Sequence, residues 1–409
     1  MMRYILFVIL LTIGVKAPWG LPFSSLSNLL CALFVLVIAA YGVHSNKIFG
    51  RPGLPKYFVY NSIFSSIVIV YTLVGWWFDK LDYPQYILNI LVYQYLFMII
   101  VRQLNEKDYK WVFTKIVAIN FGIVLIQLIG GLVNYPPLYE MRFLGLLRER
   151  VTEFIGPFPR AAGLAVEPAH LMHILLPIVV SSIFSESKSG QWASRQTRAF
   201  SAFLFFVINS LVSYIQLSMI ITIKTILSLT IKSIYRTFTL LVLAFTIANS
   251  VPIIKSRINS VTTYFATNEV NSSSISGVVS NINVMLGVLS RNPLTGEGLT
   301  SHRKNYDDMY KDTLDAASKL TLQREDASSL LVLLLSETGL IGFLTYYWFI
   351  ISSIFLFYKH RDSCALGLTF SISQLALGIR YGHLADPLFM LFLQISFWER
   401  SKLHRARKV

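Results

Sequence analysis

Long apolar runs, repeated from one end of the chain to the other, constrain this sequence more than any motif in it. Residues 328–358 carry a single charge, Glu337, and residues 199–230 carry only Lys224. A helix needs ~20 such residues to cross the hydrocarbon core of a bilayer. The runs are continuous rather than alternating, which argues against a spanning β-barrel. The composition agrees: 54% of the 409 residues are hydrophobic and 14% are charged, too little polar surface for a soluble chain of this length.

The expected fold is an all-α polytopic membrane bundle of about twelve transmembrane helices with a large outer loop containing short helices. The spans are placed at 4–20, 26–42, 58–77, 85–101, 111–133 and 164–184, at two helices within 199–230 divided near Tyr214, and at 237–253, 328–358, 364–378 and 387–398. The first resembles a signal peptide but lacks a small-residue cleavage site, and is read as a helix that ends at Lys16-Ala17-Pro18-Trp19. The chain then divides into a bundle over 1–253 with an outer loop at 134–163, a large outer segment at 254–326, a second helical block at 327–398 and a basic tail at 399–409.

Charge sets the expected orientation. With the N-terminus cytoplasmic, Arg3, the short inner loops and the tail hold nineteen of the 36 Lys and Arg residues. The short outer loops hold seven. This is the inside bias of membrane proteins. The net charge of +15 therefore reflects loop placement, and without an Arg-rich recognition motif it does not call for nucleic acid. Cys31 and Cys364 both lie in apolar segments, so neither a disulfide framework nor a zinc site is expected.

Within 254–326, Ile275, Val278, Val279, Ile282, Met285, Leu286 and Leu289 recur at helical spacing. They predict an amphipathic helix that lies on the membrane or packs over a site. Turn chemistry from Arg291 to Gly298 stops it, and a polar helix is expected within 303–320. No internal repeat is visible between the halves of the chain, which weighs against a transporter.

Chemistry is most legible where the first outer loop enters the sixth predicted span. Arg160 falls at the membrane interface, and Glu167 about two turns into the helix beside Pro168. His170 and His173 follow at three-residue steps on the same face. An ionisable residue at membrane depth is costly and is usually functional or paired. The plainer alternative is that Glu167 simply neutralises Arg160. Glu167 and His170 form one Glu-x-x-His pair, but the second pair of a di-iron bundle is absent, so no metal site is expected.

Arg142, Arg148 and Arg150 join Arg160 on the outer side. Arginine's planar fork suits a phosphate. Glu140, Glu149 and Glu153 in the same loop offer neutralisation as the alternative reading. Arg291 and Arg303 of the large outer segment are further candidates for an anionic ligand. So are Arg380 and His383, which belong to the last outer loop and also read as a solvated turn.

Three motifs in order resemble Wzy-type O-antigen polymerases. They are Arg160-x-x-Gly163 followed by Glu167-Pro168, then Asn292-Pro293-Leu294-x-Gly296-x-Gly298, then Ser336-Glu337-Thr338-Gly339-Leu340-Ile341-Gly342. O-antigen ligases of the same superfamily typically carry Asn-Pro where this chain has Glu167-Pro168, and His-Asn where it has Ser328-Ser329. The resemblance therefore implies a polymerase rather than a ligase, with a flippase or other transporter as the rival class.

The resemblance further implies a membrane-embedded glycosyltransferase of the bacterial inner membrane, with both termini cytoplasmic. Its donor and acceptor would both be undecaprenyl (polyprenyl) diphosphate-linked oligosaccharide. It would need no cofactor, metal or nucleotide sugar, and a chain-length regulator is a candidate partner. Arg160 and Glu167 are the expected catalytic pair. Arg142, Gly163, His170, Arg291, Arg303, Arg380 and His383 are the expected substrate-binding set.

Overall fold

The computed structural model describes residues 1–12, 30–31, 33–35, 55–80, 84–140, 154–155, 158–159, 161, 163–164, 168–184, 193–208, 211–228, 235, 238–239, 242, 273–310, 327, 329–379, 384 and 386–406. The described residues are helical almost throughout. The exception is a minimal antiparallel hairpin, β1 (Phe154–Ile155) and β2 (Phe158–Pro159), paired Phe154 to Pro159 and Ile155 to Phe158.

The first half of the chain forms α1 (Met2–Leu11), α2 (Pro55–Trp77), α3 (Pro84–Gln103), α4 (Glu106–Leu132), α5 (Pro136–Glu140), α6 (Pro168–Phe184), α7 (Arg195–Ile208) and α8 (Leu211–Ser228). The second half forms α9 (Ser273–Arg291), α10 (Ser301–Met309), α11 (Leu330–Lys359), α12 (Ala365–Leu377) and α13 (Pro387–Ala406). Four of these, α2, α3, α4 and α11, are long and apolar enough to cross a membrane. Of the other predicted spans, 26–42 and 237–253 fall largely outside the described residues, as does the second half of 4–20, whose first half is α1.

Local chemistry explains several boundaries. Proline opens α2, α3, α5, α6 and α13, where its missing N–H costs nothing. Asn105 caps α4 through a reciprocal box with Asp108, at 3.1 and 3.2 Å. Within the long run 199–230, α8 runs unbroken through Tyr214, so the chain does not divide at that residue; residues 209–210 lie outside the described residues. Arg400, Lys402 and Arg405 belong to the last turns of α13, where the helix dipole favours cations, so α13 runs on through most of the segment read as a tail.

A short apolar helix, α12, is the most buried. On α12 nearly every side chain is buried, and it packs on α6, α8, α11 and α13. A helix apolar all round belongs in the middle of a bundle. The outer helices do the reverse: Ile63, Val70, Leu73, Leu344, Trp348 and Phe355 on α2 and α11 are exposed, a surface suited to lipid.

Amides hold α2, α3 and α13 together. Asn61 accepts from Gln94 at 3.2 Å and from Gln394 at 2.7 Å. The Tyr57 hydroxyl donates to Gln394 at 2.7 Å. Between apolar helices such bonds contribute roughly 0.6–2 kcal/mol each.

Candidate functional site

Gly163 of the first motif sits in a socket made by α4. Its N–H donates to Gln127 Oε1 at 3.1 Å, and its carbonyl accepts from Gln127 Nε2 at 3.2 Å. Asn120 Oδ1 accepts from the next amide, Leu164, at 3.0 Å. Asn120 and Gln127 lie seven residues apart and so share one face of α4. Gly163 has φ +61°, and a Cβ there would stand 2.3 Å from Asn120 Oδ1, so only glycine fits.

The socket holds Gly163 and Leu164 against α4. Arg160 and Glu167 themselves lie outside the described residues, as do Arg142, Arg380 and His383. His170 is half-buried and His173 buried on α6, with ring centroids 6.1 Å apart. Among the described residues no group of three metal-ligating side chains occurs.

The second and third motifs form one structure. Gly339 has φ +60° and breaks α11. In an unbroken helix Leu340 and Ile341 would donate to the carbonyls of Ser336 and Glu337. Here Leu340 donates instead to Pro293 O at 2.9 Å and Ile341 to Leu294 O at 3.0 Å. The carbonyls of Ser336 and Glu337 accept from Glu297 at 3.3 Å and Gly298 at 2.9 Å. Two intrahelical bonds are thus exchanged for four to the inserted turn. Leu299 adds a fifth, donating to Tyr71 O of α2 at 3.0 Å. Non-helical backbone at membrane depth is tolerated only when satisfied inside the protein, and here the amides of Leu340 and Ile341 and the carbonyls of Ser336 and Glu337 all find partners in the turn.

Side chains anchor the turn. Arg291 Nε donates to Glu297 Oε1 at 2.9 Å, and Asn292 Nδ2 donates to the same oxygen at 3.3 Å. Burial raises the Glu297 pKa, but the Arg291 and Asn305 contacts and the Arg291 charge outweigh it, so Glu297 titrates below the usual carboxylate range. Arg291 stays 52% exposed while Glu297 is buried, which leaves part of a guanidinium fork facing outward.

The polar helix continues the assembly. The backbone amides of Thr300 and His302 donate to the Glu337 carboxylate, which caps α10 from α11. Asn281 Nδ2 is committed to Gly277 O at 2.8 Å, so its oxygen faces His302 Nε2 at 2.9 Å. Nε2 therefore carries the proton, and Nδ1 lies 2.9 Å from Ser336 Oγ, whose single proton it shares with Leu333 O at 3.0 Å. Burial drives the His302 pKa down to about 3. Arg303 lies half-buried on α10.

Of the described candidates, Arg291 anchors the inserted turn and Arg303 lies on α10 just after it, while Gly163 is seated against α4 and His170 lies on α6. Sequence reading missed Asn120, Gln127, Asn281 and His302. The first two were legible in principle, because an amide inside an apolar run needs a partner.

Comparison of the chain with protein-family models, with curated proteins and with solved structures returns no match. The class that fold and site define is a helical membrane protein with a broken helix closed by an inserted turn.

Proposed function

We propose that the chain polymerises polyprenyl-diphosphate-linked oligosaccharide units into O-antigen or a similar surface polysaccharide, at the outer face of a bacterial inner membrane. The observation that carries this reading is the interlock of the second and third motifs. Two stretches picked out separately for their family likeness share four backbone hydrogen bonds.

The chemistry is displacement at an anomeric carbon. The acceptor hydroxyl oxygen forms the new glycosidic bond as the bond to the diphosphate breaks. The hydroxyl proton passes to a base, the role we assign to Glu167, and the charge leaves on the polyprenyl diphosphate. Fixed cations stabilise that developing charge. Arg160 takes this part, with Arg142, Arg291, Arg303 and Arg380 as further anion contacts and His170 and His383 beside the sugars. Gly163, three residues on from Arg160 in sequence, is locked to α4.

Glycolipid profiling of a strain lacking the gene tests the reading. Loss of a polymerase leaves single repeat units on the lipid core. No unit at all indicates a ligase, and units stranded on the inner side indicate a flippase; either result overturns the proposal. Purified protein is expected to keep polymerising in EDTA. Activity lost in EDTA and restored by a divalent ion overturns the metal-free scheme.

A further inference from the structure

A groove of about 700 Å³ runs along one face of α2, and the turn of the second motif forms part of its wall. Its lining repeats every four residues, from Phe58 through Ser62, Ser66 and Val70 to Val74, so it follows the helix rather than crossing it. Thr295 and Ile341 close it at the inserted turn. The exposed Trp76 and Trp77 lie just beyond that end, as aromatic residues do at a membrane interface.

We propose that this groove seats the tail of a long isoprenoid lipid, its phosphate at the Trp76–Thr295 end. Length decides the occupant. The sixteen steps from Phe58 to Val74 span ~24 Å at 1.5 Å each. One leaflet of a ~30 Å core offers a phospholipid chain ~15 Å. A tail that fills the groove passes the bilayer midplane, which an isoprenoid of many units does and a phospholipid acyl chain does not. The lining suits a tail, being apolar apart from the hydroxyls of Ser62, Ser66, Tyr71 and Thr295, with no charged side chain. The identity of the headgroup rests on the function proposed above, whereas the length of the groove does not.

The test uses the full-length protein in nanodiscs and a polyprenyl phosphate bearing a diazirine in its tail. Lys56 and Lys80 bracket α2 without another basic residue between them, so trypsin releases the groove wall as one peptide. That peptide is expected to carry the label, and unlabelled polyprenyl phosphate to compete it away. Ser66→Trp fills the groove from an exposed position and is expected to lower labelling about tenfold or more. Leu73→Trp, exposed on α2 but outside the groove, is expected to leave labelling unchanged.

Equal competition by phosphatidylglycerol assigns the groove to bulk lipid and overturns the proposal. A disulfide-linked dimer of Ser66→Cys assigns it to a second copy and does the same. So does wild-type labelling of a well-folded Ser66→Trp variant. The two readings fail separately: a deletion strain with normal polymer sinks the polymerase while labelling stands, and polymer loss with label elsewhere sinks only the groove.

Discussion

At the scale of single residues, His302 gives the sharpest test. Its folded pKa is about 3, against ~6.5 in an unfolded chain. The unfolded state therefore binds the extra proton between those values. The contribution of neutral His302 is complete above pH ~6.5 and declines as pH falls toward 3, by up to ~1.4 kcal/mol per unit. Thermal unfolding in detergent should show this decline, and His302→Leu should lack its share of it. Glu297 acts in the same direction at lower pH, since its depressed pKa gives stability that disappears as the carboxylate protonates. Gly163→Ala meets both a positive φ and Asn120 and should cost ~1–3 kcal/mol. Gly122→Ala meets nothing within 4 Å and should be neutral or stabilising by ~0.5–1 kcal/mol. Equal melting temperatures for the two variants would remove the socket from the argument. For the proposed chemistry, Arg160→Lys keeps charge but loses the fork, and Glu167→Gln keeps shape but loses the base. Both should accumulate normally and make little polymer. Wild-type chain length from well-expressed Arg160→Ala would move the search to the other arginines.

At the scale of elements, the inserted turn is the part a sequence reader half sees. Asn292-Pro293 and the following glycines announce a turn, and Gly339 inside an apolar run announces a weakness in a helix. That one fills the other depends on spatial meeting, which no periodicity encodes. The amphipathic helix shows the same limit. Its predicted apolar stripe includes Val278 and Leu286, yet both are exposed on α9, while Ser280, Asn281, Val284 and Val288 are buried. Hydrogen bonds to His302 and Tyr306 turn the helix toward its polar positions. Hydropathy ranks side chains by their affinity for oil, and a paired amide defeats that ranking. Gly298→Ala probes the element as a whole. A Cβ there would stand 2.0 Å from the backbone nitrogen of Gly75, which cannot swing aside as a side chain can. Overpacking of this kind should cost ~3 kcal/mol or more and release the turn. Faster amide exchange at Leu340 and Ile341 is the expected signature, and unchanged protection there would show that the turn does not hold the break.

At the scale of the whole molecule, the class of fold was legible because bilayer thickness sets helix length directly. Its interior was not: α12, read as a short span, is the buried centre of the bundle. Orientation remains a prediction of loop charge. Ser290→Cys on α9 and Ala406→Cys at the end of α13 are exposed, while the native Cys31 and Cys364 are buried. A membrane-impermeant maleimide should reach the two engineered thiols from opposite sides, and labelling from one side would reverse the topology. The broken helix also bears on how the chain is made. Tyr71, the turn at 293–298 and Leu340 leave the ribosome in that order, far apart in time. Until the last arrives, Pro293 and Leu294 have no donors from α11, and until the turn docks the amides of Leu340 and Ile341 have only the helical acceptors Ser336 and Glu337. Unmet backbone groups cost several kcal/mol each in lipid, so a nascent chain stalled between the two should be held by the insertion machinery or degraded. Completion of α11 is expected to act as a checkpoint in biogenesis, so truncation before Leu340 should shorten cellular half-life far more than truncation after Lys359.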